Sequence, residues 1–78
     1  MMRYYFTYGM GAGQPFEGGY TCVLAEDFGQ AAEKFRKRHP DREKNVLNCA
    51  SVYSGDVFVK TPMWTEGNYG RYEVEFIR

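Results

Sequence analysis

The sequence predicts an α+β fold: a four-stranded, mostly antiparallel sheet with one α-helix packed on one face, in the order ββαββ. Three observations lead there. Only one segment, Asp27 to His39, carries a helical apolar period. Around it lie short runs of aromatic and β-branched residues that alternate with period two. Glycine-rich stretches separate those runs. Seventy-eight residues make one domain, 1–78, with no internal repeat, linker or low-complexity segment.

The first strand is expected over Arg3–Tyr8, with Tyr4, Phe6 and Tyr8 on one side and Arg3, Tyr5 and Thr7 on the other. Gly9, Gly11 and Gly13 then occupy alternate positions of a loop that ends at Pro15. Such a loop is either a wide hairpin connection or a nest of backbone N–H groups for a phosphate or carboxylate. A strand follows it rather than a helix, so it is not a dinucleotide fingerprint. Tyr20–Ala25 is a second strand, apolar enough on both faces to sit centrally.

In the helix, Phe28, Ala31, Ala32 and Phe35 share one stripe. Asp27 is placed as an N-cap and Gln30 as its capping-box partner. Pro40 ends the helix, because it disfavours helical geometry at His39. Lys34, Arg36, Lys37, Arg38, Arg42 and Lys44 crowd the C-terminal end and the connector. They complement the helix dipole as a solvated face, or they form a contact patch for phosphate or an acidic surface.

A third strand is expected over Val46–Tyr53, beside either hairpin strand. Asn48 and Ser51 are polar within it and need partners, from a turn or from a ligand. Ser54–Lys60 reads as a helical turn or a short strand, and Thr61–Trp64 as a loop. Trp64, the only tryptophan, is either a lid on the core or a stacking surface. Gly67-Asn68-Tyr69-Gly70 is a turn. In the last strand, Tyr72, Val74 and Phe76 are expected to face the core, and Arg71, Glu73 and Glu75 to face water.

Composition bounds the function. Ten basic and ten acidic side chains cancel, which argues against nonspecific binding to nucleic acid or anionic membranes. No apolar run approaches a membrane span and no leader opens the chain, so a cytoplasmic protein is expected, with Cys22 and Cys49 as reduced thiols. Two Cys and one His fall short of a zinc site. No nucleophile, base and orienter are paired by position, so no enzyme, catalytic residue, metal or cofactor is expected. A chain this short buries a modest core, and a homo-oligomer is a natural consequence.

Tyr4-Tyr5-Phe6-Thr7-Tyr8-Gly9, Gly18-Gly19-Tyr20, Leu47-Asn48-Cys49-Ala50 with Tyr53, and Gly67-Asn68-Tyr69-Gly70 together resemble small proteins carried by phages and prophages of gut Firmicutes. The likeness runs over most of the chain, and its motifs are structural. It implies a mobile-element accessory protein. By analogy with such proteins, it implies action against host defence, by sequestering a nucleotide signal or by occupying a defence protein such as a CRISPR nuclease. The first of these uses aromatic rings to stack on a base and glycine loops or arginines to meet phosphate. The candidate ligand-binding residues are Tyr5, Tyr8, Gly11, Gly13, Phe16, Trp64, Asn68, Tyr69 and Arg71, with Arg3 as a further phosphate contact. A small RNA- or DNA-binding module acting through Lys34–Lys44 is a third reading, lowered by the zero net charge.

Overall fold

A computed structural model describes residues 1–11, 13–67 and 72–78. Strand β1 (Met2–Thr7) pairs antiparallel with β2 (Tyr20–Ala25), in register from Met2 opposite Ala25 to Thr7 opposite Tyr20. Helix α1 (Phe28–Arg38) follows, then β3 (Ser51–Ser54), two single-turn helices α2 (Gly55–Phe58) and α3 (Pro62–Thr65), and β4 (Val74–Ile77). The sheet order is β3-β1-β2-β4. β3 is antiparallel to β1, which answers the question of where the third strand lies, and β4 is parallel to β2. The α+β class is as expected, but the sheet is mixed because β4 runs parallel to β2, and two short helices join the one helix expected.

Local chemistry sets the ends of α1. The Asp27 carboxylate accepts the Gln30 backbone N–H at 2.8 Å, and the Gln30 side chain reaches back to the Glu26 N–H at 2.8 Å. His39 closes the last turn by donating its backbone N–H to Phe35. Ala31, Ala32 and Phe35 are buried, whereas Phe28, at the helix start, is about half exposed and touches Tyr4 edge-on. Beneath α1 lie Tyr4, Phe6, Tyr8, Val23, Ala25 and Ile77. Phe6 and Phe35 stack with ring centroids 4.3 Å apart.

The opposite face of the sheet is not bare. Tyr5, Tyr20 and Cys22 form a second cluster around Phe58, which α2 drives onto the sheet; Phe58 stacks on Tyr5 at 4.1 Å. The segment at Ser54 is therefore a helical turn. Thr61–Trp64, expected as a loop, turns into α3 because Pro62 falls at its first position, where a missing N–H costs nothing.

Two further expectations are corrected. The third strand covers only Ser51–Ser54. β1 stops at Thr7, so a partner extended upstream of Ser51 has nothing left to pair with. Val46 instead closes a turn by donating to the Glu43 carbonyl, with Asn45 at φ 67°, and Ala50 donates to Thr7. In β4, the pairing with β2 sets Val74 and Phe76 beside Tyr20 and Cys22, on the α2–α3 side. That cover does not reach the edge strand, so Phe76 is 65% exposed. Glu75, expected in water, sits beside Thr21 under α1 with its side chain only 15% exposed. Arg71 lies outside the described residues.

Candidate functional site

The backbone turn at Gly18–Gly19 organises the open end of the hairpin. Gly18 donates to the Gly9 carbonyl and Tyr8 donates to that of Gly19. Both glycines have φ near +70°, and a Cβ on Gly18 would lie 2.5 Å from the Tyr72 ring. Only glycine tolerates both demands. Tyr72 thus packs onto a floor of bare backbone. Met10, Met63 and Pro62 wall the same space, Tyr8, Glu66 and Gly67 complete it, and the result is an apolar groove of about 380 Å³. That volume lies within the usual range for a small-molecule site.

A second groove, of about 400 Å³, opens between the hairpin loop and the connector after α1. It is polar. Gln14, Arg42, Glu43 and Asn48 line it, with Leu47 and Cys49, which pack against the α1-side core, among its apolar lining.

Between α1 and the sheet runs a chain of hydrogen bonds. Glu75 Oε1 accepts from the Thr21 hydroxyl at 2.8 Å and from His39 Nε2 at 2.7 Å, and Arg38 donates to Oε2 at 3.0 Å. Thr21 gives its proton to Glu75, so the Tyr8 hydroxyl, 2.5 Å away, must be the donor to Thr21. Burial alone would raise the Glu75 carboxyl; the bonds from His39, Thr21 and Arg38 outweigh it and hold the group below its ordinary value. Burial pushes Tyr8 up to about 12. These groups tie the helix end to the last strand, and the Tyr8 and Thr21 side chains are sealed from solvent. Cys22 and Cys49 are free, and burial raises both thiols, Cys49 to about 11, so the thiolate form is disfavoured at neutral pH. Among the described residues, no three His, Cys, Asp or Glu side chains gather as a metal site, and no helix is long and apolar enough to cross a membrane.

The residues singled out from the sequence divide across the sheet. Tyr5 is buried under Phe58, with no open ring face for a ligand to share with Trp64. Tyr8 and Phe16 meet on the α1 side, ring centroids 5.5 Å apart, and Phe16 also abuts His39. Trp64 is 47% exposed, its ring against Tyr5 and Phe58, so it is partly a lid and partly a free surface. Among the described candidates, Tyr8 alone lines the apolar groove. Gly11 is exposed, and a Cβ on it would meet no described residue within 4 Å, whereas Gly13 lies against the guanidinium of Arg42. Arg3 is at the far end of β1 from both grooves. Asn68, Tyr69 and Arg71 lie outside the described residues. Sequence reasoning missed Met10, Met63 and Tyr72, and it placed Arg42 in a basic patch without linking it to the hairpin loop. The paired Gly18–Gly19 was the available signal for the first groove, because adjacent glycines before a strand mark a close backbone approach.

No family model, curated protein or solved structure matches the chain.

Proposed function

We propose that this is a non-enzymatic, phage-type accessory protein that sequesters a nucleotide-derived signal of host defence, with the base held in the apolar groove between the hairpin turn and α3. The observation that carries this reading is the groove itself. It has a floor of glycine backbone, two methionine walls and a partly exposed tyrosine ring, and it sits next to the only half-exposed indole. A planar heteroaromatic ring fits such a lining: methionine adapts to it, and an aromatic ring stacks on it for roughly 1–3 kcal/mol per base. The resemblance to phage and prophage proteins supplies the biological setting. Self-association is part of the proposal, since a second copy is a means of covering Phe76 at the sheet edge.

The test is a thermal-shift screen of the purified protein against linear and cyclic nucleotides, with native mass measured on the same sample. One nucleotide class should stabilise the protein by about 2.7 kcal/mol at a hundredfold excess over its dissociation constant. Met63→Ala should remove that response and leave the fold intact. Silence across the whole panel, with a host protein co-purifying, would instead favour an inhibitor of a defence effector. Met10, Trp64 and Phe76, each at least 47% exposed, would then form the contact surface.

A further inference from the structure

The basic segment from Lys34 to Lys44 looks from the sequence like a diffuse cationic face, yet most of its charges are already engaged. Lys34 donates to the Leu24 carbonyl at 2.7 Å. Arg36 pairs with Asp41 at 2.9 Å, Lys37 reaches Glu33, and Arg38 and His39 both bind Glu75. Among the described residues, only Arg42 and Lys44 of this segment lack a bonded partner. Arg42 also lies across the hairpin loop. Its guanidinium lies so close over Gly13 that a Cβ there would fall 1.8 Å from Nη1, and Gly13 has φ +100°. The Arg36–Asp41 pair fixes the residue just before it.

Two amides face the same groove. Gln14 spends its carbonyl oxygen on the Gly9 N–H at 2.7 Å, and its NH₂ has no bonded partner among the described residues. Asn48 makes no side-chain hydrogen bond among the described residues and lines the groove beside Arg42. A planar guanidinium and two amide donors converge on one open, polar space. That is donor chemistry for a small oxyanion. Glu43 is the one carboxylate in the lining, and it opposes binding.

We propose that this groove is a phosphate-binding site built from Arg42, Gln14 and Asn48, separate from the apolar groove. It takes free inorganic phosphate or the phosphate of a small phosphate ester. Arg42 supplies the charge, Gly13 supplies the bare backbone against which that charge is positioned, and the amides select a tetrahedral acceptor. The site needs no nucleobase, so it stands even if the apolar groove binds something else.

The experiment is an amide-resolved NMR titration with inorganic phosphate, against sodium chloride at matched ionic strength. Saturable shifts at the Gly13 amide and the Gln14 and Asn48 side-chain amides are expected with phosphate and not with chloride. Arg42→Gln should weaken binding by about tenfold or more, as loss of one charge-assisted contact implies, and Glu43→Gln should tighten it. Lys44→Gln and Trp64→Ala should leave it unchanged. Parallel titrations with adenosine and adenosine 5′-phosphate separate the sources: a shift in this groove with the ester but not the nucleoside assigns it to the phosphate. Shifts that track ionic strength alone, or equal losses in Arg42→Gln and Lys44→Gln, would overturn the assignment in favour of diffuse screening.

Discussion

The two faces of the sheet are built by different means. On the α1 face, one eleven-residue helix lays Ala31, Ala32 and Phe35 over a continuous apolar layer, and the Glu75 network locks its C-terminal end to the last strand. On the other face, two four-residue helices cover only the middle of the sheet, and Trp64 and Phe76 remain in contact with water. The α1 face is a scaffold. The α2–α3 face adjoins the open end of the hairpin, where the apolar groove lies. The difference teaches that this small chain packs one face of its sheet fully and leaves the other partly open to water.

Substitutions can break that contrast, and they rank by expected effect. Phe35→Ala removes a fully buried ring stacked on Phe6, and its cost should be about 3–5 kcal/mol, enough to unfold much of the population. Denaturant melts would show it. Glu75→Gln comes next, at about 1.5–3 kcal/mol, because hydrogen bonds to a charged group are lost. That loss should depend on pH. The Glu75 carboxyl titrates below its ordinary 4.5 in the folded protein, so its stabilisation is fully present above that value and disappears as pH falls through the lower folded-state pKa. Wild type and Glu75→Gln should therefore converge in acid, and a gap that persists there would mean that the network is packing rather than charge.

Trp64→Ala should cost about 1–2 kcal/mol, since only about half of the ring is buried, and circular dichroism should show an intact fold. A collapse would make Trp64 a core lid. In protein dilute enough to be monomeric, Phe76→Ser should lie within about 0.5 kcal/mol of wild type, because the ring is exposed in the single chain. A cost that grows with protein concentration would show that a partner copy covers Phe76, as the proposed self-association requires.

What the sequence made legible follows the same division. Periodicity and capping chemistry located α1 almost to the residue, because Asp27, Gln30 and Pro40 act locally. The β1–β2 hairpin was equally plain. The far side was not, because its arrangement depends on pairing between distant segments. Alternation correctly put Val74 and Phe76 on one face but could not say which face of the sheet that was, since the answer lies in a parallel pairing with β2. Glu75 looked like a solvent residue for the same reason, until its neighbours Thr21 and His39 gave it partners. The grooves were harder still. Arg42 lies 29 residues from Gly13 in the chain, and nothing local links them. Tyr72 and Gly18 are likewise joined only by the fold.

The most direct test of the scaffold-and-groove account is residue-resolved hydrogen exchange on the free protein and again with the nucleotide class found by thermal shift. The account predicts that amides of α1, β1 and β2 exchange only through global unfolding, that amides from Val59 to Gly67 open locally, and that ligand adds protection at Gly19, Met63 and Gly67. Equal protection on both faces in the free protein, or ligand protection confined to α1, would contradict it.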